Sequence, residues 1–308
     1  MRRIFKREKF DLIQYSTPNA SLYASLAGFL AGIPVRLYCQ WGMAFVGFSG
    51  IKRRILKALE KLVCSLSTWI EPDSKSNLNF AHEQGLYPQS KGSVIWNGSA
   101  SGVSLKKFDI SQKSNYRNAI RSRYGIPDDA FVYGFVGRIT RDKGINELLS
   151  AYKQLLSDNT YLILVGREEI GDNIDKDLLN WSRESENVIY TGSTTVVEQY
   201  LSAMDVYILP SYREGFGSGV IEAEAMGLPV IVSNIPGPTD AILKDKTGLV
   251  VEKADVKSLK EAMETIRNDR ELYRSLASES HSFAEENFEQ DKLFKDIVED
   301  RKKLLGEK

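Results

Sequence analysis

The sequence predicts an α/β protein of doubly wound, parallel-sheet domains, and three observations carry that prediction. From Phe131 onward, short β-branched and aromatic runs alternate with longer segments of helical period, the pattern of successive βαβ units. Two glycine-bearing turns, at 137–144 and 210–219, each follow a strand-like run and open a helical one. The chain has 308 residues, and at about 150 residues per domain it can bury two cores. Its 42% apolar and 27% charged content excludes disorder, collagen and coiled coil.

Taken in order, the chain opens with a basic helical stub at 2–9, and strands are expected at 11–15, 34–39, 68–71 and 94–96 with helices between them. The most apolar stretch, 22–35, is broken by Ser25, Gly28, Gly32 and Pro34, so it reads as a buried helix running into a strand. Four strands fall short of the five or six common in such a sheet, and the usual opening strand with its glycine-rich turn is not found. The first domain is therefore expected to be incomplete at its start. Gly125 and Pro127 mark a junction within 111–129. Strands then follow at 131–136, 161–165, 188–190, 206–209, 230–232 and 249–251, with helices at 145–156, 175–184, 196–203, 219–226 and 256–268. The tail repeats apolar residues at helical spacing, among them Leu276, Phe283, Phe288, Leu293 and Ile297. The expected domains are thus 1–110 and 111–285, with a closing helix at 286–308 packing back across both.

The formal net charge is zero, from 41 basic and 41 acidic side chains. That sum conceals two opposite halves: residues 1–125 hold 19 basic and 7 acidic side chains, a balance of +12, which leaves −12 for the rest. Cys39 and Cys64 stand among apolar neighbours, far from a C-x-x-C spacing, and are expected to be buried thiols in a reducing cytosol. His82 and His281 are isolated and lack metal-ligand spacing.

Chemistry concentrates in the two turns. In Pro210-Ser-Tyr-Arg-Glu-Gly-Phe-Gly-Ser-Gly-Val-Ile-Glu222, three glycines, Gly215, Gly217 and Gly219, let backbone approach a ligand closely. The free N–H groups of the helix that starts there suit a diphosphate. Glu222, expected in the first helical turn, can accept from ribose hydroxyls, and Glu214 at the strand end faces the same crevice. The structural alternative, a solvated Glu214 and a Glu222 that only complements the helix dipole, would lead for an isolated pair; the glycines and the strand-to-helix placement weigh against it. In Gly137-Arg-Ile-Thr-Arg-Asp-Lys-Gly144, Arg138 offers a planar fork for phosphate oxygens and Lys143 a mobile point charge. Asp175-Lys-Asp177 spells D-x-D, but residues two apart on a helix diverge, so no metal is expected there. Two carboxylates alone would also fit a hydrolase pair.

These residues resemble family 4 glycosyltransferases, retaining enzymes of the GT-B fold. Glu214 to Glu222 reproduces the family's E-x7-E motif, Gly137-Arg138 with Lys143-Gly144 its phosphate-binding pair, and Asn97-Gly-Ser-Ala-Ser-Gly-Val-Ser104 its GSGNGVD stretch. The segments 234–242 and 246–250 are similar to those of bacterial capsule and exopolysaccharide transferases. The resemblance implies a GT-B-like pair of Rossmann-like domains, the N-terminal one lacking roughly 60 to 90 residues, or two to three βα units. It implies that Glu222 holds the ribose, Arg138 and Lys143 the diphosphate, and Glu214 with the backbone of Phe216 and Gly217 the donor sugar. Gly137, Ser218 and Gly219 would line the phosphate site, and 188–192, ending at Gly192, the base pocket. The family usually has a His where Gln40-Trp41-Gly42 stands, and Trp41 has no imidazole acceptor.

In 51–64, apolar residues at 51, 55, 59 and 62 leave Lys52, Arg53, Lys57 and Lys61 for the remaining face, an amphipathic basic helix. An ordinary helix with a solvated charged face and a helix lying on anionic lipid are equally weighted by this pattern; the basic first half favours lipid. Aromatics are not interleaved with the cations as a nucleic-acid surface needs. The expectation is a sugar transfer from a nucleoside diphosphate sugar, commonly a UDP-sugar, to a lipid-linked glycan, without a metal or cofactor, in the cytoplasm at the inner membrane face. The alternative is an inactive or split-enzyme donor-binding subunit whose missing units come from a partner chain.

Overall fold

The computed structural model describes residues 1–157, 159–169, 171 and 173–306, and the chain divides into two compact units. The first comprises Met1–Gly102, Arg213–Phe216 and the chain from Gln290 onward; the second comprises Val103–Tyr212 and Gly217–Glu289.

In the first unit, β1 (Leu12–Tyr15), β2 (Val35–Gln40) and β3 (Trp69–Pro72) form a parallel sheet in that order, with Leu12 beside Val35 and Leu37 beside Trp69. The Pro18–Ala31 helix starts on a proline, whose missing N–H costs nothing there, and ends at Gly32 in the left-handed region. It packs against the Gly50–Leu66 helix, and Tyr15, Tyr38, Phe45, Val63, Ile70 and Leu86 fill the core. Cys39 and Cys64 are free and buried, and burial raises both thiols well above their ordinary range.

The strand expected at 94–96 does not form. The Ser93 N–H reaches the Ile70 carbonyl at 3.2 Å, but Gly92 (φ 154°) and Trp96 (φ 50°) turn the chain away before a ladder can follow. The tail is two helices rather than one, Arg270–Phe288 and Gln290–Leu305, and they belong to different units. In the first unit Arg301 pairs with Glu71, Nη2 to Oε1 at 2.8 Å, and reaches Gln14 Oε1 at 3.2 Å, while Lys292 lies 4.8 Å over the Trp96 ring. The second unit starts earlier than residue 111, because the Val103 N–H donates to the Phe288 carbonyl at 2.8 Å.

Among its described residues the second unit holds six parallel strands, β4 (Phe131–Val136), β5 (Thr160–Val165), β6 (Val188–Gly192), β7 (Val206–Leu209), β8 (Val230–Ser233) and β9 (Gly248–Val251). Their order is β6-β5-β4-β7-β8-β9, which is 3-2-1-4-5-6 when counted within the unit. Val132, Phe135, Ile163, Leu164, Val206 and Ile231 have no accessible surface, as strands covered on both faces require. Helices Ile145–Leu155, Lys176–Glu184, Val197–Ala203, Ser218–Ala225 and Val256–Asn268 lie within a residue or two of their expected positions. The chain order reverses at β4 and β7, which are hydrogen-bonded neighbours.

Candidate functional site

Both motif turns leave the sheet at that reversal, 137–144 after β4 and 210–219 after β7, on the side where open α/β sheets bind ligands. Bare backbone closes the neighbouring strand ends. The Gly137 N–H donates to the Val165 carbonyl and the Gly166 N–H to the Gly192 carbonyl, both at 2.9 Å. A Cβ on Gly166 would strike the Gly137 carbonyl oxygen, so no other residue fits. Gly137, Gly166 and Gly192 thus end β4, β5 and β6 without side chains in the way of a ligand. Sequence reasoning missed Gly166, although it follows the β5 run as Gly137 follows β4.

Arg138 is half exposed and reaches Glu169 Oε2 at 3.0 Å and Asp142 Oδ2 at 4.0 Å. Lys143 closes the single helical turn Arg141–Lys143, which ends at Gly144 (φ 75°). Gly144 is obligatory, since a Cβ there would strike the Pro210 carbonyl oxygen. The two turns are therefore in backbone contact, and the Tyr212 N–H donates to the Asp142 carbonyl at 2.8 Å. Side chains fasten them further: Arg141 Nη1 donates to Glu147 Oε2 at 2.8 Å, Tyr212 Oη donates to Glu147 Oε1 at 2.7 Å, and the Arg141 guanidinium lies 4.5 Å over the Tyr212 ring. Burial, followed by the hydrogen bond to Glu147, pushes the Tyr212 phenol up to about 12. Nothing in the sequence marks these three residues as partners.

The Ser218–Ala225 helix starts at Gly217 in the left-handed region, and a Cβ on Gly219 would strike the Tyr207 hydroxyl. Glu222 is the fifth residue of this helix and so lies in its second turn, not its first, because the helix begins at Ser218. Its carboxyl is pushed up to about 7, chiefly by burial, with Lys107 lowering it and Glu198 raising it.

Glu214 and Phe216 group with the first unit. There, the Asn77 side-chain amide donates to the Gly215 carbonyl and to that of Glu214, the latter at 3.4 Å, and Ser74 Oγ donates to the Gly215 carbonyl at 3.3 Å. Ser74 also caps the Lys75–Glu83 helix, accepting from the Asn77 N–H at 3.2 Å. A Cβ on Gly215 would strike Asp73 Oδ2 and come within 3.0 Å of the Trp41 backbone, while the Trp41 ring stays exposed. Phe216 is buried, its ring 3.1 Å from where a Gly98 Cβ would stand. Asp175 is engaged as a helix cap, accepting from the Asp177 and Leu178 N–H groups at 3.0 and 3.1 Å.

A doubly wound sheet of this order, with glycine-ended strands and cationic turns at its reversal, has the architecture of a nucleotide-binding domain. Residues 116–282 match the family Glycosyl transferases group 1, and the chain belongs to it: the protein is a glycosyltransferase. It is 30% identical, over 96% of its length and 77% of the relative's, to the capsular polysaccharide biosynthesis glycosyltransferase CapM of Staphylococcus aureus. It is 25% identical, over 88% of its length and 70% of the relative's, to an Escherichia coli UDP-Gal:alpha-D-GlcNAc-diphosphoundecaprenol alpha-1,3-galactosyltransferase. Its fold matches that of Anabaena HepE, solved in complex with UDP, with a TM-score of 0.82 over 98% of this chain and 80% of that one at 19% identity. The GT-B-like α/β class expected from the sequence is the class observed.

Proposed function

We propose that this glycosyltransferase moves a sugar, with retention, from a nucleoside diphosphate sugar, in the first instance a UDP-sugar, to a lipid-linked glycan during synthesis of a surface polysaccharide. The observation that carries the proposal is the sheet reversal, where two turns, bare glycine backbone and a helix N-terminus converge. Supporting it, the E. coli relative is named for UDP-Gal and a diphosphoundecaprenol-linked acceptor, and HepE was solved with UDP.

Breaking the bond between a sugar and a nucleotide builds positive charge on the sugar and negative charge on the leaving phosphate. Arg138 and Lys143 neutralise that leaving charge, and the N–H groups of Gly217, Ser218 and Gly219 add the helix N-terminus to them, so that no metal is needed. Binding has Arg138 exchange or share Glu169 and Asp142 for phosphate oxygens. The carboxylate of Glu222 accepts from the ribose hydroxyls, Gly137 and Gly192 admit the diphosphate and base closely, and Glu214 with the backbone of Phe216 orients the donor sugar.

Titration calorimetry with UDP tests the donor site. A charge-assisted hydrogen bond contributes about 1.5–3 kcal/mol, so Arg138→Ala and Glu222→Ala should each weaken UDP at least about tenfold. A chain that binds no nucleoside diphosphate, or two variants that bind it like the parent, would sink the reading. Transfer that survives a chelator, with the product's anomeric configuration read by NMR, checks the metal-free and retaining elements.

The lipid side rests on the Gly50–Leu66 helix, whose apolar stripe faces outward. Ile51 and Ile55 are 74% and 56% exposed, Leu59 and Leu62 are exposed too, and the buried residues of the helix are Glu60, Val63 and Cys64. The neighbouring Pro18–Ala31 helix exposes Tyr23, Leu26, Phe29 and Leu30. An exposed patch of this kind beside Lys52, Arg54 and Lys61 suits an anionic lipid surface. Among the described residues no helix is long and apolar enough to cross a membrane.

A further inference from the structure

At the end of the second unit's sheet opposite the donor turns, a cavity of about 380 Å³ opens where β4 and β5 begin. It lies wholly within the second unit, and its volume is at the small end of the roughly 300–1,000 Å³ of small-molecule sites. Doubly wound sheets take their nucleotides at the other end, so the donor chemistry above leaves this cavity unused.

The guanidinium groups of Arg117, Arg267, Arg270 and Arg274 line it, although the unit around them carries an excess of acidic side chains. Two of them are already engaged: Arg117 Nη2 holds Asp205 Oδ1 at 2.9 Å, and Arg267 Nη2 reaches Ser157 Oγ at 3.1 Å. Arg270 and Arg274 stand four apart on the Arg270–Phe288 helix, are exposed, and make no hydrogen bond or ion pair among the described residues. Like charges at that spacing repel, and an anion between them relieves the repulsion. Asp205 does not supply that anion, because its Oδ2 accepts from Arg121 Nη2 at 2.8 Å and from the Val132 N–H at 2.7 Å.

The rest of the lining is not cationic. Phe131 and Tyr273 meet edge to face, ring centroids 6.2 Å apart, and give the cavity an apolar side. Asp128 and Asp129 line it too and are exposed, with Asn159 Nδ2 donating to Asp129 Oδ2 at 3.3 Å. These carboxylates repel a bare polyanion but accept readily from hydroxyl groups. We propose that the cavity binds a sugar phosphate. The planar forks of Arg267, Arg270 and Arg274 take the phosphate monoester, Asp128 and Asp129 accept from the sugar hydroxyls, and the ring lies against Tyr273. The site is separate from the donor site and stands or falls independently of it.

Calorimetry on the full chain with glucose 6-phosphate and glucose 1-phosphate tests this, with glucose and inorganic phosphate as the two halves of the probe. At least one sugar phosphate should bind saturably, and at least about tenfold more tightly than either half. Arg270→Ala with Arg274→Ala should weaken it at least about tenfold while UDP affinity and the thermal midpoint stay at the parent's values, since both side chains are exposed and remote from the donor turns. If that pair destabilises the helix start, Arg274→Ala alone carries the same comparison. Asp128→Asn with Asp129→Asn should strengthen inorganic phosphate and narrow the preference for the sugar phosphate over it. Arg138→Ala should leave sugar-phosphate binding in place. No saturable binding by either sugar phosphate, affinity no better than that of inorganic phosphate, or affinity unmoved in the arginine variants overturns the proposal. So does displacement by UDP together with loss in Arg138→Ala, which would put the probe in the donor site.

Discussion

Individual charged residues divide into those the sequence announces and those only the fold reveals. Glu222 and Arg138 stand out because glycines and strand-to-helix boundaries surround them, and those signals are local. Arg121 has no such signal. It is 1% exposed, donates to the carbonyls of Pro127, Asp128, Ala130 and Ala203, and pairs with Asp205 Oδ2 at 2.8 Å, 84 residues away. From sequence it is one more solvated arginine, and Lys107, Glu198 and Tyr212 escape notice for the same reason: their partners are distant in the chain. Replacing Arg121 by Ala takes a buried donor from four carbonyls and from Asp205, which keeps Arg117 at 2.9 Å and the Val132 N–H at 2.7 Å, so a loss of about 3 kcal/mol is expected in denaturant unfolding, against little change for an exposed arginine such as Arg2. Glu222 should behave in the opposite sense. Its folded-state carboxyl sits at about 7 against an ordinary 4.5, so its favourable contribution is complete below 4.5 and is lost as pH rises through 7. At pH 8 the parent carries a cost of roughly 3 kcal/mol that Glu222→Gln removes. The variant should therefore unfold at higher denaturant than the parent at pH 8, match it near pH 4.5, and bind UDP more weakly. Equal stability at both pH values would contradict the cost assigned to this carboxyl.

Elements of the second unit were legible to within a residue or two because buried parallel strands must be continuous apolar runs, and the turns between them carry their own punctuation. The misreadings have local causes that periodicity does not register. Positive φ at Trp96 stops a strand that its side chains would favour, and a break at Glu289 splits a tail whose apolar spacing continues through it. The closest demands are on glycines at strand ends. Gly166→Ala would place a methyl against the Gly137 carbonyl at φ 146°, a conformation other residues seldom adopt, and should destabilise by more than about 2 kcal/mol while weakening UDP. Gly192→Ala meets open space and has only its left-handed φ of 71° to offset, about 1–2 kcal/mol. Urea midpoints of the two variants should rank in that order. The reverse ranking would mean that backbone crowding at the ends of β4, β5 and β6 is relieved by a shift of the strands.

The zero net charge of the whole molecule is an average over unlike parts. By the division of the structure the first unit holds 20 basic and 12 acidic side chains and the second 21 and 29, balances of +8 and −8. The basic unit is also the one whose Gly50–Leu66 helix turns its apolar stripe to solvent, and that orientation could not be read from 51–64. The pattern there fixes an amphipathic helix but not which face the core takes, and the core takes Glu60, held by Tyr38 and Gln40 at 2.9 and 2.6 Å. A positive, apolar surface should bind lipid by two terms: area removed from water, about 1.5–3 kcal/mol for each isoleucine fully buried, and about 1 kcal/mol for each cation near anionic headgroups. Co-sedimentation with vesicles containing roughly one-third anionic lipid should then exceed that with purely zwitterionic vesicles and decline as salt shortens the screening length. Ile51→Asp with Ile55→Asp should cut binding more than tenfold at low salt while leaving UDP affinity unchanged, since neither residue belongs to the donor site. Vesicle binding that ignores lipid charge and persists in the double variant would place the contact elsewhere in the molecule and leave the outward stripe without a lipid role.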